Sequence, residues 1–185
     1  MMHQKPWKLV AIGIPVRFNG LEIEIMTQLR LVRNQDYDPI SDRTWEAIGE
    51  TVKEGESVLD ALIRGFREEC GDEQFMPVDI LGAPTDWSTG KGDHEHLYTP
   101  LCFLQNLAAP QPWAGPCHVV TVPHWWEPDY SKSDGEAGDH CWWSAEHLKH
   151  ELDHRRETFH CFHYPAFWVL SDGILQKTFP FPFRA

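Results

Sequence analysis

The sequence is short of positive charge, of long apolar runs and of regularly spaced cysteines. Sixteen Lys and Arg stand against 28 Asp and Glu, a formal net charge of −12. A field of that sign repels polyphosphate backbones, so broad nucleic-acid binding is not expected, and a phosphate ligand needs a metal ion or a local basic cluster. No apolar run approaches the roughly 18 residues that span a bilayer, so no membrane partner is expected. Met1 to Lys8 carries charge, and no apolar run of signal-peptide length follows it. The five cysteines (Cys70, Cys102, Cys117, Cys141 and Cys161) are odd in number and share no short spacing. They read as reduced thiols, which makes the cytoplasm the expected compartment. Internal repeats, low-complexity tracts and linkers are also missing. The 185 residues therefore read as a single domain, with a core over about 9–170 and a tail over 171–185.

Several familiar sites are missing as well. There is no Gly-x-Ser-x-Gly elbow and no C-x₂-C pair, and Ser88 to Gly92 lacks the spacing of a phosphate loop. Cys117-His118, His140-Cys141 and His160-Cys161 are adjacent pairs, which on a strand offer one ligand each because neighbours point to opposite faces. His147, His150 and His154 share one helical face, as a solvated edge also would. Zinc is thus a minor reading.

The hydrophobic pattern changes period along the chain. Lys8 to Phe18 reads as a buried strand, Asn19-Gly20 as a hairpin turn, and Leu21 to Val32 as a half-exposed strand. Residues 34–44 read as loop. Leu59, Leu62, Ile63, Phe66 and Cys70 recur at steps of three and four, which predicts a helix capped by Ser57 and stopped by Gly71. Val78 to Leu81, Leu97 to Leu107 and Val119 to Val122 read as strands, with a polar segment over Ser88 to Glu95. Trp125 to Asp139 is an acidic loop, Cys141 to Trp143 a short strand, Ser144 to about Arg155 a helix, and His163 to Leu170 a third. Mixed strands with two or three helices predict an α/β or α+β sandwich.

Chemistry concentrates between Gly49 and Gly71. Gly65, Glu68 and Glu69 share a helical face, and Glu56 stands at the start of the helix. Adjacent carboxylates are hard ligands suited to Mg²⁺ or Mn²⁺, although a solvated acidic face is the commoner origin of such a cluster.

The spacing resembles the Nudix box. Glu56 occupies the first Glu position, Arg64 follows after seven intervening residues, and Phe66, Glu68, Glu69 and Gly71 fall on the apolar, Glu, Glu and Gly positions. Gly55-Glu56-Ser57 and Ala61 also match, and Trp45-x-x-x-Gly49 resembles the Trp-x-x-Pro-Gly lead-in, with Ile48 where Pro is usual. Leu31-Val32-Arg33 is similar to the strand end ahead of the box, and Cys141 to Leu148 to the late strand that turns into a helix. Three positions depart from the pattern. Glu50 stands where the box opens with Gly, Asp72 replaces the closing apolar residue, and Gly65 replaces the Glu after Arg64, a carboxylate that in the family ligates metal and in some members acts as base.

The resemblance implies a mixed sheet sandwiched between helices, with the box as loop-helix-loop. It implies a metal-dependent pyrophosphohydrolase that cleaves a nucleoside diphosphate linked to another moiety, with Mg²⁺ or Mn²⁺ as cofactor. Glu68, Glu69, the Gly49 carbonyl and Glu136 are then metal ligands. Glu56, Arg64, Glu69 and Glu136 are the catalytic set, with Glu136 as base or extra ligand and Arg64 pairing with Glu56. Arg33, Lys91 and Trp126 are candidates to touch a small nucleotide-type substrate, and a homodimer is compatible with such folds. Because Gly65 supplies no ligand, the alternative is a catalytically impaired Nudix domain that binds a nucleotide or protein partner. Glu50, Glu56, Glu136 or another acid is the candidate to compensate.

Overall fold

The computed structural model describes residues 7–31, 42–81, 85–88, 94–97, 100–107 and 112–178, with 85–88 and 94–97 described in backbone only. The first strand, β1 (Lys8–Asn19), turns at Gly20, whose φ of 65° suits glycine, into β2 (Glu22–Arg30). The two pair antiparallel from Asn19↔Glu22 to Val16↔Ile25 and then splay apart. Residues 45–51 fill the opening. Their first part, β3 (Trp45–Glu46), pairs with Gln28 and Leu29 of β2, and their second, β4 (Ile48–Thr51), with Val10 to Gly13 of β1. This wedge sets Glu46, Gly49 and Glu50 in the middle of the sheet, directly before the helix.

That helix, α1 (Val58–Cys70), begins where Ser57 Oγ accepts from the Asp60 amide at 3.1 Å and ends at Gly71 in the left-handed region. Leu62, Phe66 and Cys70 are fully buried against Ala11, Met26, Ile48, Val120 and Trp126, on one sheet face. The opposite face packs Ile12, Ile14, Val16 and Ile25 against α2 (Ala145–His154) and α3 (Tyr164–Leu175) through Leu148, Leu152, Phe167 and Leu170. Alternation along β1 and β2 splits the apolar residues between the faces, so the sheet lies between helices as expected. Ser144 caps α2, its Oγ accepting from the His147 amide at 3.2 Å.

The remaining strands are β5 (Asp79–Leu81), β6 (Thr85–Ser88), β7 (His94–Leu97), β8 (Cys102–Asn106), β9 (Trp113–Thr121) and β10 (Ala137–Ser144). The main path runs β10-β2-β1-β9-β5, with β9 parallel to β1 and β8 beside β9. Five expectations need correction. Both ends of the polar segment over Ser88 to Glu95 are strand, Ser88 in β6 and His94 and Glu95 in β7, which pair antiparallel as a separate two-stranded sheet, while 89–93 lie outside the described residues. The run from Leu97 to Leu107 is interrupted, since β7 ends at Leu97 and β8 starts at Cys102. Both β9 and β10 are longer than expected, because pairing with β1 and β2 draws the residues before Val119 and before Cys141 into the ladder. Helix α3 continues to Leu175, past the expected end at Leu170.

Candidate active site

Arg64 is the hub at the start of the site. Its Nε donates to Glu56 Oε1 at 2.9 Å, and its Nη2 to Glu56 Oε2 at 3.0 Å and to the Thr51 carbonyl at 2.8 Å. Its Nη1 reaches Glu50 Oε2 at 2.8 Å and Glu68 Oε2 at 3.2 Å. The Lys53 amide adds a bond to Glu56 at 2.9 Å. With Arg64 first and that amide second, Glu56 is pulled down to about 2. One guanidinium thereby fastens the loop and the strand to the helix, and the expected Glu56–Arg64 pair is present.

Glu69 points the other way, into the protein. It is 5% exposed, and Gln28 Nε2 donates to its Oε2. Burial pushes its carboxyl well above the usual range, and Glu46, Asp134 and Glu136 raise it further against the Gln28 bond. Glu46, 3% exposed, is pushed up to about 7 by burial; Arg30, whose Nη1 lies 3.1 Å away, opposes this and Glu136 adds to it. Glu68, in contrast, sits on the rim beside Arg64.

The acidic loop completes this face because it is fastened to the C-terminal end of α1. The Asp129 amide donates to the Cys70 carbonyl at 2.8 Å and the Asp134 amide to the Glu68 carbonyl at 3.0 Å. Glu136 accepts from the Leu31 amide through its own carbonyl at 2.7 Å. Gly71 permits the docking, since a Cβ there would lie 2.1 Å from the Asp129 carbonyl oxygen.

A divalent cation fits this donor set. The helix, the wedge and the loop each bring hard carboxylate ligands to this part of the molecule, and after burial, the main cause, Glu46, Asp134 and Glu136 raise Glu69 further and Glu136 raises Glu46. Beside them the buried Gln28 Oε1 has no hydrogen-bond partner among the described residues. Gly49 lies on the wedge between Glu46 and Glu50, paired with Ile12.

Other expected contacts fall elsewhere. Trp126 is 4% exposed, packed edge-on against Phe75 and Trp142 and tilted against Phe66, with its Nε1 donating to Asp72 at 3.1 Å. Its ring is part of the core, which corrects its reading as a candidate substrate contact, and its bond to Asp72 accounts for an acid where the box closes on an apolar residue. Arg33 and Lys91 lie outside the described residues.

The sequence reading missed Gln28, Glu46 and Asp134. Glu46 and Gln28 are opposite one another across β3 and β2, a relation that no local spacing reveals. It also missed a buried triad of Glu46, His160 and His163, whose donor atoms lie within 4.8 Å of one another. His163 Nδ1 is already used, accepting from the Ala47 amide at 3.2 Å, and burial keeps that ring neutral. Arg30 shares the Glu46 carboxylate. These partners make the triad a packing cluster behind the wedge.

A family model described as NUDIX domain matches residues 10–161. Solved structures share the fold at low identity. The NUDIX domain of Shewanella oneidensis NrtR complexed with ADP ribose superposes with a TM-score of 0.60 at 13% identity, over 92% of this chain and 90% of that one. A Caenorhabditis elegans Ap4A hydrolase gives 0.54 at 16%, over 93% and 99%, and a MutT protein from Methanosarcina mazei Go1 gives 0.57 at 16%, over 94% and 98%. Among curated protein sequences none matches this one. With a box traced residue by residue and a domain match across most of its length, the chain belongs to the Nudix superfamily.

Proposed function

We propose that the protein is a metal-dependent pyrophosphohydrolase that cleaves a nucleoside diphosphate linked to another moiety. The observation that carries this reading is the buried Glu69, whose carboxyl is raised by burial and by the charges of Glu46, Asp134 and Glu136, so that a bound cation would favour its ionised form. Glu68, Glu69 and Glu136, with the Gly49 carbonyl, would hold Mg²⁺ or Mn²⁺. Bound there, the ion neutralises charge on the phosphate oxygens and the leaving group.

The chain's own residues do the rest. Gln28 fixes the Glu69 carboxylate, and Arg64 fixes the loop that carries Glu56. Glu136 stands on a loop pinned at both ends, where a carboxylate can take a proton from water, so it is assigned as base or further ligand. The net charge of −12 repels a polyphosphate elsewhere on the surface, which leaves the metal-bearing face as its landing point. The ADP ribose of one structural relative and the Ap4A hydrolase title of another are consistent with this substrate class.

A second reading, a domain that binds a nucleotide or protein partner without turnover, is favoured by one feature, the absent carboxylate at Gly65. Phosphate and pyrophosphate release from nucleoside triphosphates, nucleotide sugars and dinucleoside polyphosphates, with Mg²⁺ and with Mn²⁺, separates the two. Turnover that disappears in Glu69→Gln supports the hydrolase. No turnover above that variant across the panel overturns it in favour of the binding domain.

A further inference from the structure

We propose that Glu50, from strand β4, supplies to the acidic face the carboxylate that α1 lacks at Gly65, so that strand and helix have exchanged side chains at their contact. The inference rests on the hydrolase reading and deepens it by naming a further ligating residue.

The argument is steric first. A Cβ placed on Gly65 would lie 2.9 Å from Glu50 Cβ and 3.7 Å from Glu50 Cγ. The near atom is the stem of the Glu50 side chain, so rotating its carboxylate away does not relieve the contact. The space above this turn of α1 holds one side chain, rooted either in the helix or in the strand. In this chain it is rooted in the strand, which explains why a helix interior accepts a glycine that costs it stability.

Chemistry follows from where that side chain ends. Glu50 Oε1 accepts from the Thr51 amide at 2.6 Å, and Oε2 sits 2.8 Å from Arg64 Nη1. The same nitrogen holds Glu68 Oε2 at 3.2 Å. Glu50 and Glu68 are therefore presented together, although one comes from the sheet and the other from the helix. Position 65 shares a helical face with Glu68 and Glu69, and Glu50 covers that position. The number of carboxylates on the face is preserved while the backbone that carries one of them changes. A salt-bridge partner for Arg64 alone requires no glycine opposite, and Glu56 already occupies two of the guanidinium's donors.

The test is Mn²⁺ binding by the whole chain, read as free Mn²⁺ by electron paramagnetic resonance, with melting temperatures beside it. Glu50→Gln, of the same shape, should weaken Mn²⁺ binding roughly tenfold or more. Glu50→Gly should do the same, and Gly65→Glu added to it should restore binding to near wild type. The steric part is read without metal. Gly65→Ala should lower the melting temperature of the wild type yet raise that of Glu50→Gly by about 2–4 °C. Wild-type Mn²⁺ affinity in Glu50→Gln, or no recovery in the double variant, overturns the inference and leaves the hydrolase reading standing. A wild type that neither binds Mn²⁺ nor turns over any substrate overturns both.

Discussion

Gln28 of β2 and Glu69 of α1 are joined by a buried hydrogen bond, the amide Nε2 donating to the carboxylate Oε2. It links the middle of the sheet to the acidic face of the helix and is the contact that opposes the rise in Glu69's pKa. Gln28→Met keeps the volume and removes the donor. We expect a loss of about 0.5–1.5 kcal/mol in urea unfolding, the net range for a buried hydrogen bond. Mn²⁺ affinity near pH 7 should fall with it, because a more basic Glu69 holds its proton more tightly. Unchanged stability and unchanged affinity would show that the bond has no energetic role.

Glu46 titrates near 7 in the folded protein, against about 4.3 in an unfolded chain. Across that window the folded state holds a proton that the unfolded chain has released, so stability in EDTA falls as pH rises from about 4.5 to 7. Glu69, also raised, adds to the same slope. Urea unfolding at a series of pH values checks this. Glu46→Gln should flatten part of the decline, and Mn²⁺ should oppose it by binding the ionised carboxylates.

The Arg64–Glu56 pair has the opposite pH dependence. Glu56 is held down to about 2, so its contribution is present above about 4.3 and is lost as pH falls toward 2. The pair is partly open to solvent, so Glu56→Gln should cost only about 1 kcal/mol at pH 7 and clearly less at pH 2. Arg64→Ala, which also abandons Glu50, Glu68 and the Thr51 carbonyl, should cost about 2 kcal/mol or more. Thermal melts at the two pH values separate the effects.

Gly71→Ala tests the docking of the acidic loop. The residue has φ of 67°, and the added Cβ meets the Asp129 carbonyl oxygen. A left-handed alanine costs about 1–3 kcal/mol before the clash is counted. The loop that carries Asp134 and Glu136 should shift away from α1, with faster amide exchange at Asp129 and Asp134 and weaker Mn²⁺ binding. Protection equal to wild type would show that the loop is held independently of this contact.

The helices were legible because α1 carries its own period, cap and stop in consecutive residues, and Ser144 does the same for α2. Glu56, Arg64, Glu68 and Glu69 were legible for the same reason, being spaced along one loop and helix. Gln28 and Glu46 were not. They are 18 residues apart and meet only because residues 45–51 enter the gap between β1 and β2. Trp126 was misplaced because aromatic character says nothing about direction; its ring is set by Phe66, Phe75 and Asp72, from a helix and the segment after it. The lengths of β9 and β10 follow from their partners, which a local reading does not see.

The contact between Gly65 and Glu50 also bears on ancestry. Glutamate cannot occupy both positions on this backbone, so the helix-borne and strand-borne arrangements are not neighbours by single replacement. A route between them passes through glycine at both positions, a folded ancestor with an incomplete acidic face. Each replacement therefore changes sign with its background, harmful alone and restorative second. A motif search that scores the two positions independently will mistake the strand-borne arrangement for decay.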